Sequence, residues 1–175
     1  MTEPGTPSES AVDDSNGRYA ARVLALFAGG ALLTWALLAM MWSGTVRLPI
    51  SGTVAQLAVN LLVAAAVFLT VKSRRDLAGV AVLQLIIAFV ISLVEINVGS
   101  VFTWYLGAGL MVWALKLRDV LVAVTAAAAF TAVGFVYAFP TLFGLMPTVA
   151  LVAALVITAT AVGRWLLARR TARLG

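Results

Sequence analysis

The chain has 175 residues, of which 63% are hydrophobic and only 11% charged, and it contains neither His nor Cys. A soluble domain averages about 45–50% apolar and about 25% charged residues, so one water-soluble core could not enclose this apolar excess. The missing residue types exclude disulfides, thiolate and imidazole metal sites and His-based catalysis, and the composition favours an integral membrane protein.

The first 17 residues, MTEPGTPSESAVDDSNG, carry four acidic side chains and no basic one. Such a segment buries too little apolar surface to offset the entropy of ordering, so residues 1–17 are predicted to form a disordered cytoplasmic tail. The tail is not a signal peptide, because signal peptides begin with a positively charged region. The net charge of +5 therefore divides into −4 in the tail and +9 elsewhere, at the ends of apolar runs, which argues against a nucleic-acid partner.

Six apolar runs follow, at about 21–42, 52–71, 77–96, 100–116, 120–138 and 145–167. A hydrocarbon core about 30 Å thick needs about 20 helical residues to cross it, and five runs have that length. The fourth run is shorter, but it begins with Phe102, Trp104 and Tyr105, which are typical of the membrane interface. The predicted fold is an all-α bundle of six transmembrane helices over residues 18–168, with a basic exit segment at 169–175.

The positive charges predict the topology. If the chain crosses six times, 11 of the 12 Lys and Arg residues lie on one side, and Arg47 is the exception. The positive-inside rule places that side, with both termini, in the cytoplasm. We therefore expect a multi-pass protein of the cytoplasmic membrane with the lipid bilayer as its first partner.

Residues near the basic turns indicate how the helices begin and end there. Asp76 and Asp119 each follow an Arg, and both are predicted to cap a helix by accepting backbone N–H bonds. Trp113 and Trp165 are predicted to lie at the inner membrane boundary, where aromatic rings are enriched.

Polar side chains follow one face of the second run and one face of the third. Gln84, Ser92 and Glu95 are spaced to share a helical face, and Gln56 and Asn60 do the same one run earlier. Glu95 is the only acidic residue that falls inside a run, and an intramembrane charge invites a functional hypothesis because of its cost.

An antiparallel hairpin folded about Arg74 would bring these two faces together. In that register Ser92 lies level with Gln56, and Glu95 lies level with Thr53. The polar residues would then form a continuous seam from the outer surface to near the middle of the membrane.

Two interpretations of the seam stay open. In the first, the amides and hydroxyls hydrogen-bond across the helix pair, each bond contributing about 0.6–2 kcal/mol, and simply hold it together. In the second, they line an outward-facing ligand pocket with two aromatic rings at its mouth. The candidate ligand-binding residues are Gln56, Asn60, Gln84, Ser92, Glu95, Trp104 and Tyr105. We find no catalytic motif, and we expect no enzyme activity, metal or cofactor.

The last run continues into a basic segment, AVGRWLLARRTARLG, without a proline. A helix is expected to run from the bilayer into the cytoplasm, with candidate signalling or lipid-contact residues Arg164, Arg169, Arg170 and Arg173. This exit, after several membrane spans, resembles the membrane sensor region of actinobacterial DesK-like histidine kinases. In that family the segment continues into a dimerisation helix with the phospho-accepting His and an ATP-binding domain.

The resemblance implies a membrane sensor domain, homo-oligomeric or part of a larger membrane complex, that passes a stimulus to cytoplasmic machinery through its last helix. This chain departs from the family in having no His and no kinase part, so we expect it to phosphorylate nothing by itself. Two alternatives stay open: the substrate-capture subunit of a vitamin-type importer, and an accessory subunit of a larger membrane complex.

Overall fold

The computed structural model describes residues 9–44, 52–100 and 102–174, and within these every regular element is helical. Side chains are described from Gly17 to Arg170 within those ranges. A short 3-10 helix joins the fifth and sixth α-helices. The elements are α1 at Glu9–Ser43, α2 at Gly52–Val71, α3 at Arg75–Val98, α4 at Tyr105–Leu117, α5 at Val120–Ala138, the 3-10 helix at Pro140–Leu145, and α6 at Met146–Leu174.

Five segments of the described chain are long and apolar enough to cross a membrane, which is consistent with a multi-pass membrane protein. They are Gly17–Ser43, Gly52–Val71, Arg75–Val98, Val120–Ala138 and Pro140–Arg170. The fourth run differs from the prediction, because α4 has only 13 residues and a length of about 20 Å. The chain before it, from Ser100 to Trp104, is not helical where it is described. A sixth crossing therefore stays a prediction.

The first helix begins earlier than expected. Residues 1–8 lie outside the described residues, but residues 9–17, for which the composition predicted disorder, belong to α1. Adding turns to an existing helix costs far less than nucleating a new one, and acidic residues near a helix N-terminus are favoured by the helix dipole. The polar residues 9–17 therefore extend a helix that the apolar part of α1 already forms.

The helices form a ring in chain order that α1 closes by packing along α6, and α4 also contacts α1 across the middle. Short as it is, α4 is the most enclosed helix, with eight of its 13 residues buried. Trp113 is fully buried among them. Its predicted place at the inner boundary is therefore wrong, because hydropathy alone does not separate lipid-facing from protein-facing rings. Trp165, by contrast, is 44% exposed.

Close approach of α1 to its neighbours depends on glycine. A Cβ at Gly30 would lie 2.4 Å from Cγ2 of Val63 on α2, whereas a Cβ at Gly29 would meet nothing within 4 Å. Small residues at such contacts are how membrane helices pack their backbones closely.

These adjacent glycines make a matched test of the packing. Gly30→Ala is expected to destabilise the protein by about 1–3 kcal/mol, because α1 and α2 must separate around a stiff valine. Gly29→Ala should leave stability unchanged or raise it by up to about 1 kcal/mol, because alanine is the better helix former. Thermal unfolding in detergent micelles measures both, and equal effects would contradict the described contact.

Candidate functional site

Polar side chains from three helices and one connection meet in the interior of the bundle. None of them is more than 3% exposed. We call them the polar cluster: Thr34 of α1, Gln56 and Asn60 of α2, Ser92 and Glu95 of α3, and Thr103 of the connection between α3 and α4.

Asn60 is the centre of the polar cluster. Its Nδ2 lies 2.8 Å from Oγ of Ser92, 3.0 Å from Oγ1 of Thr103 and 3.3 Å from Oε2 of Glu95, so two amide hydrogens are shared among three acceptors. Its Oδ1 accepts a bond of 3.0 Å from Nε2 of Gln56. One side chain thus joins α2 to α3 and to the start of α4.

Gln56 extends the polar cluster to α1. Its Nε2 also donates to Oγ1 of Thr34 at 3.0 Å, and the Thr34 hydroxyl donates to the carbonyl of Gly30 in its own helix. Oε1 of Gln56 is the one buried side-chain polar atom of the described residues without a hydrogen-bond partner. It is the point of the polar cluster at which hydrogen-bonding capacity is left over.

Glu95 and Thr103 satisfy the first backbone groups of α4. Oε1 of Glu95 accepts from the N–H of Trp104 at 2.7 Å, and Oγ1 of Thr103 accepts from the N–H of Tyr105 at 3.0 Å. The first N–H groups of a helix have no partner within it, and the positive end of the helix dipole favours a carboxylate. Neither of the ion pairs among the described residues involves Glu95. Its carboxylate therefore serves the buried start of α4.

The contacts between α2 and α3 differ from the expected ones by one to two helical turns. Ser92 was expected level with Gln56 and Glu95 level with Thr53, but both bond to Asn60. Asn60 lies about one turn closer to the hairpin than Gln56 and about two turns closer than Thr53. Side chains tilt toward the N-terminus of their helix. In this antiparallel pair α2 side chains lean away from the turn and α3 side chains lean toward it, so residues at different heights meet.

Gln84 makes a separate buried group with two residues of α4. Its Nε2 donates to the Tyr105 hydroxyl at 2.5 Å, and its Oε1 accepts from Nε1 of Trp113. Tyr105 is fully buried and stacks on Phe27 at a ring distance of 5.7 Å. The structure therefore places Tyr105 in the interior, and not at the mouth of a pocket.

Trp104 lies between the interior and the surface. It is partly buried, its ring lies 5.9 Å from that of Tyr137, and the Tyr137 hydroxyl bonds to Ser100. Three cavities are lined by described residues, and none of these three includes a residue of the polar cluster in its walls. The arrangement of these side chains is that of a closed hydrogen-bonded seam.

Two residues of the polar cluster were missed in the sequence. Thr34 and Thr103 are single polar residues within apolar surroundings, and neither belongs to a polar stripe of repeated spacing. The usable signal was their position inside runs that were otherwise apolar, since Thr in a membrane helix often hydrogen-bonds to the backbone or across helices.

A largely buried ion pair lies at the basic end of the bundle, which is the end where the Lys- and Arg-containing turns are found. Nε and Nη2 of Arg164 on α6 lie 2.7 and 2.6 Å from Oδ2 of Asp119, whose side chain is 3% exposed. Oδ1 of Asp119 accepts from the N–H groups of Leu121 and Val122, so its predicted role as the cap of α5 is confirmed. Arg164 therefore connects α6 to α5 through an ion pair.

Asp76 does not cap its helix as predicted. The helix begins at Arg75, so Asp76 lies inside the first turn, and Arg74 occupies the cap position without a side-chain bond to the backbone. Asp76 accepts instead from Arg74 at 3.1 and 3.2 Å in an exposed pair.

The other candidate basic residues of α6 lie beyond the ion pair. Arg169 and Arg170 are both exposed, and Arg169 stacks on Trp165. Arg173 belongs to α6, but its side chain is outside the described part. In residues 9–44, 52–100 and 102–174, no three acidic residues gather as metal ligands would. Comparison with family models, curated proteins and solved structures found no match.

Proposed function

We propose that this chain is a membrane sensor or signalling domain that passes a stimulus from the bilayer, or from outside it, to cytoplasmic machinery through α6. The observation that carries the proposal is the length of α6, whose 29 residues extend over about 44 Å against a hydrocarbon core of about 30 Å. A helix that continues beyond the membrane can carry a displacement out of it.

The attachment of α6 supports this role. Along its membrane part it packs against α1, and near the basic end it is joined to α5 by the Asp119–Arg164 ion pair. Signalling needs an element with two states that differ in affinity for the stimulus. A rigid helix that is fixed by two neighbours can shift only with them, so a change in bundle packing moves its cytoplasmic part.

We also propose six crossings with both termini in the cytoplasm. Basic residues from separate turns lie at one end of the bundle. The Arg74 guanidinium, between α2 and α3, lies 5.3 Å from the centre of the Tyr19 ring on α1. Lys116, in the last turn of α4, is close enough to Asp76 to interact with it electrostatically. The start of α5 reaches the same end through Asp119 and Arg164. The chain from Ser100 to Leu117 thus returns from the far end of α3 to the basic end.

Two single-cysteine variants test the crossing by α4, because the chain has no native Cys. If α4 crosses with its preceding segment, Asn97→Cys and Gly144→Cys lie on the same, outer side and both react with an impermeant maleimide in intact cells. Arg170→Cys should react only after permeabilisation. Labelling of Asn97→Cys and Gly144→Cys from opposite sides would contradict the six-crossing topology.

The signalling role is tested by fusing residues 1–175 to a reporter kinase and measuring its output while temperature and lipid unsaturation are varied. We expect output to change with membrane fluidity, and Asn60→Leu in the polar cluster to alter that response. Asn97→Leu, at an exposed position of the neighbouring helix α3, is the matched control. The signalling role would be refuted if reporter output did not change with membrane fluidity and was the same in Asn60→Leu.

The importer and the accessory subunit predict other results. The first requires tight binding of a small molecule, yet the polar cluster is closed and mutually hydrogen-bonded. The second requires fixed partners that co-purify with the chain. No contact among the described residues favours either one.

A further inference from the structure

A cavity of about 430 Å³ lies between the first and last helices at the basic end of the bundle. Its walls combine positive charge with apolar surface. The lining residues include Arg18, Arg22 and Ala25 from α1 and Trp165, Ala168 and Arg169 from α6. Among the residues whose side chains the structure describes, none that lines the cavity is acidic.

Two of the three guanidinium groups that line this cavity lie over aromatic rings. The guanidinium carbon of Arg169 lies 3.5 Å from the centre of the Trp165 ring, and that of Arg22 lies 5.8 Å from the centre of the Tyr19 ring. A stacked guanidinium loses less freedom when it binds an anion and keeps its N–H groups for that anion. Arg18 has further interactions of its own, so Arg22 and Arg169 are the candidate anion ligands.

The cavity is amphipathic. The alanines and the face of Trp165 give it an apolar wall, and the arginines give it a positive rim. Arginine prefers phosphate among anions because its planar fork binds two oxygens at once, and tryptophan concentrates at the lipid headgroup level. A phosphate with an attached hydrocarbon chain fits both surfaces, whereas free phosphate would use only the rim.

We propose that this cavity binds the phosphate of an anionic phospholipid, with an acyl chain along Ala25 and Trp165. Basic pockets between helices on the cytoplasmic side are sites of this kind. The lipid would bridge α1 and α6, and the proposal stands whether or not the domain signals.

Binding of phosphatidylglycerol to the purified protein in detergent tests the proposal, with native mass spectrometry to count bound lipids. Phosphatidylcholine and inorganic phosphate are the comparison probes. The double variant Arg22→Gln/Arg169→Gln should weaken phosphatidylglycerol binding at least about tenfold. The control Lys72→Gln/Arg75→Gln removes the same charge from exposed positions in the α2–α3 turn, and it should weaken binding less than about twofold.

Three outcomes would overturn the proposal. Equal losses in the two double variants would mean diffuse attraction to a basic surface. Equal binding of phosphatidylcholine and phosphatidylglycerol would remove the requirement for an anion. Displacement of the lipid by millimolar inorganic phosphate, with equal stabilisation, would assign the site to free phosphate.

A second measurement does not use the charge variants and compares the unsubstituted protein with one conservative variant. Phosphatidylglycerol with brominated acyl chains should quench tryptophan fluorescence more strongly than brominated phosphatidylcholine. Trp165→Phe should remove that difference, because Trp165 lines the cavity. Persistence of the difference in Trp165→Phe would place the bound lipid elsewhere and overturn the proposal.

Discussion

Arg164→Ala is expected to lower the free energy of unfolding by about 3–5 kcal/mol, the largest loss from any single side chain considered. The carboxylate of Asp119 has a side-chain exposure of 3% in the intact protein, and the change removes the cation that compensates its charge. Two backbone N–H groups of α5 still bond to Oδ1, but they do not replace a full positive charge. Unfolding in detergent, followed by helical circular dichroism, measures the loss.

The exposed pair at the α2–α3 turn is the matched control. Arg74 and Asp76 have side-chain exposures of 37% and 52%, so water solvates either partner when the other is removed. Arg74→Ala should therefore cost less than about 1 kcal/mol. Equal losses from Arg74→Ala and Arg164→Ala would mean that the burial of Asp119 carries no energetic weight.

A double variant separates the lost cation from the lost packing. Asp119→Asn keeps an oxygen that can cap α5 and removes the buried charge. Asp119→Asn/Arg164→Ala should consequently be more stable than Arg164→Ala alone. If the double variant is the less stable of the two, the cost of Arg164→Ala does not come from an unpaired carboxylate.

The sequence predicted the helices well where apolar length alone decides them. The bounds of α2, α3 and α5 follow the predicted runs within about two residues at each end, because a bilayer-spanning helix must be apolar over nearly its whole length. The helical part of the fourth run, predicted at about 100–116, is shorter than expected, because a buried irregular segment and a short helix have the same hydropathy as a span. Tertiary hydrogen bonds make that conformation possible, and hydropathy does not report them.

The polar contacts were predictable in part. The two stripes of α2 and α3 do face each other, as their helical spacing indicated, but the tilt of the side chains moved the contacts by one to two turns. The pairing of Asp119 with Arg164 joins residues 45 positions apart. Nothing in the local spacing of either residue points to the other, since such a contact depends on how the ring of helices closes.

Asn60→Leu is expected to cost about 2–4 kcal/mol, because it removes the side chain whose described hydrogen bonds join Ser92, Glu95 and Thr103 to α2. Leucine has the same number and branching of side-chain heavy atoms and is larger than asparagine, so the loss does not come from a cavity. A hydrogen bond between membrane helices contributes about 0.6–2 kcal/mol, and leaving a buried polar group without its partner costs about 1–3 kcal/mol. The same unfolding assay in detergent gives the total.

Asn97→Leu is the control for the change of side chain. Asn97 is on the same helix as Ser92 and Glu95, is exposed, and donates to the carbonyl of Leu93 in its own helix. Its replacement should change stability by no more than about 0.5 kcal/mol. If both leucine variants lose the same stability, the polar cluster is not what holds α2 to α3.

Hydrogen exchange distinguishes the loss of the Asn60 centre from a general weakening of the fold. The N–H groups of Trp104 and Tyr105 are bonded to Glu95 and Thr103, and both of those acceptors are positioned by Asn60. In Asn60→Leu these two amides should exchange faster than amides in the middle of α5. Uniform acceleration along the chain would mean that Asn60 stabilises the bundle without fixing the start of α4, and the buried carboxylate would then need another explanation.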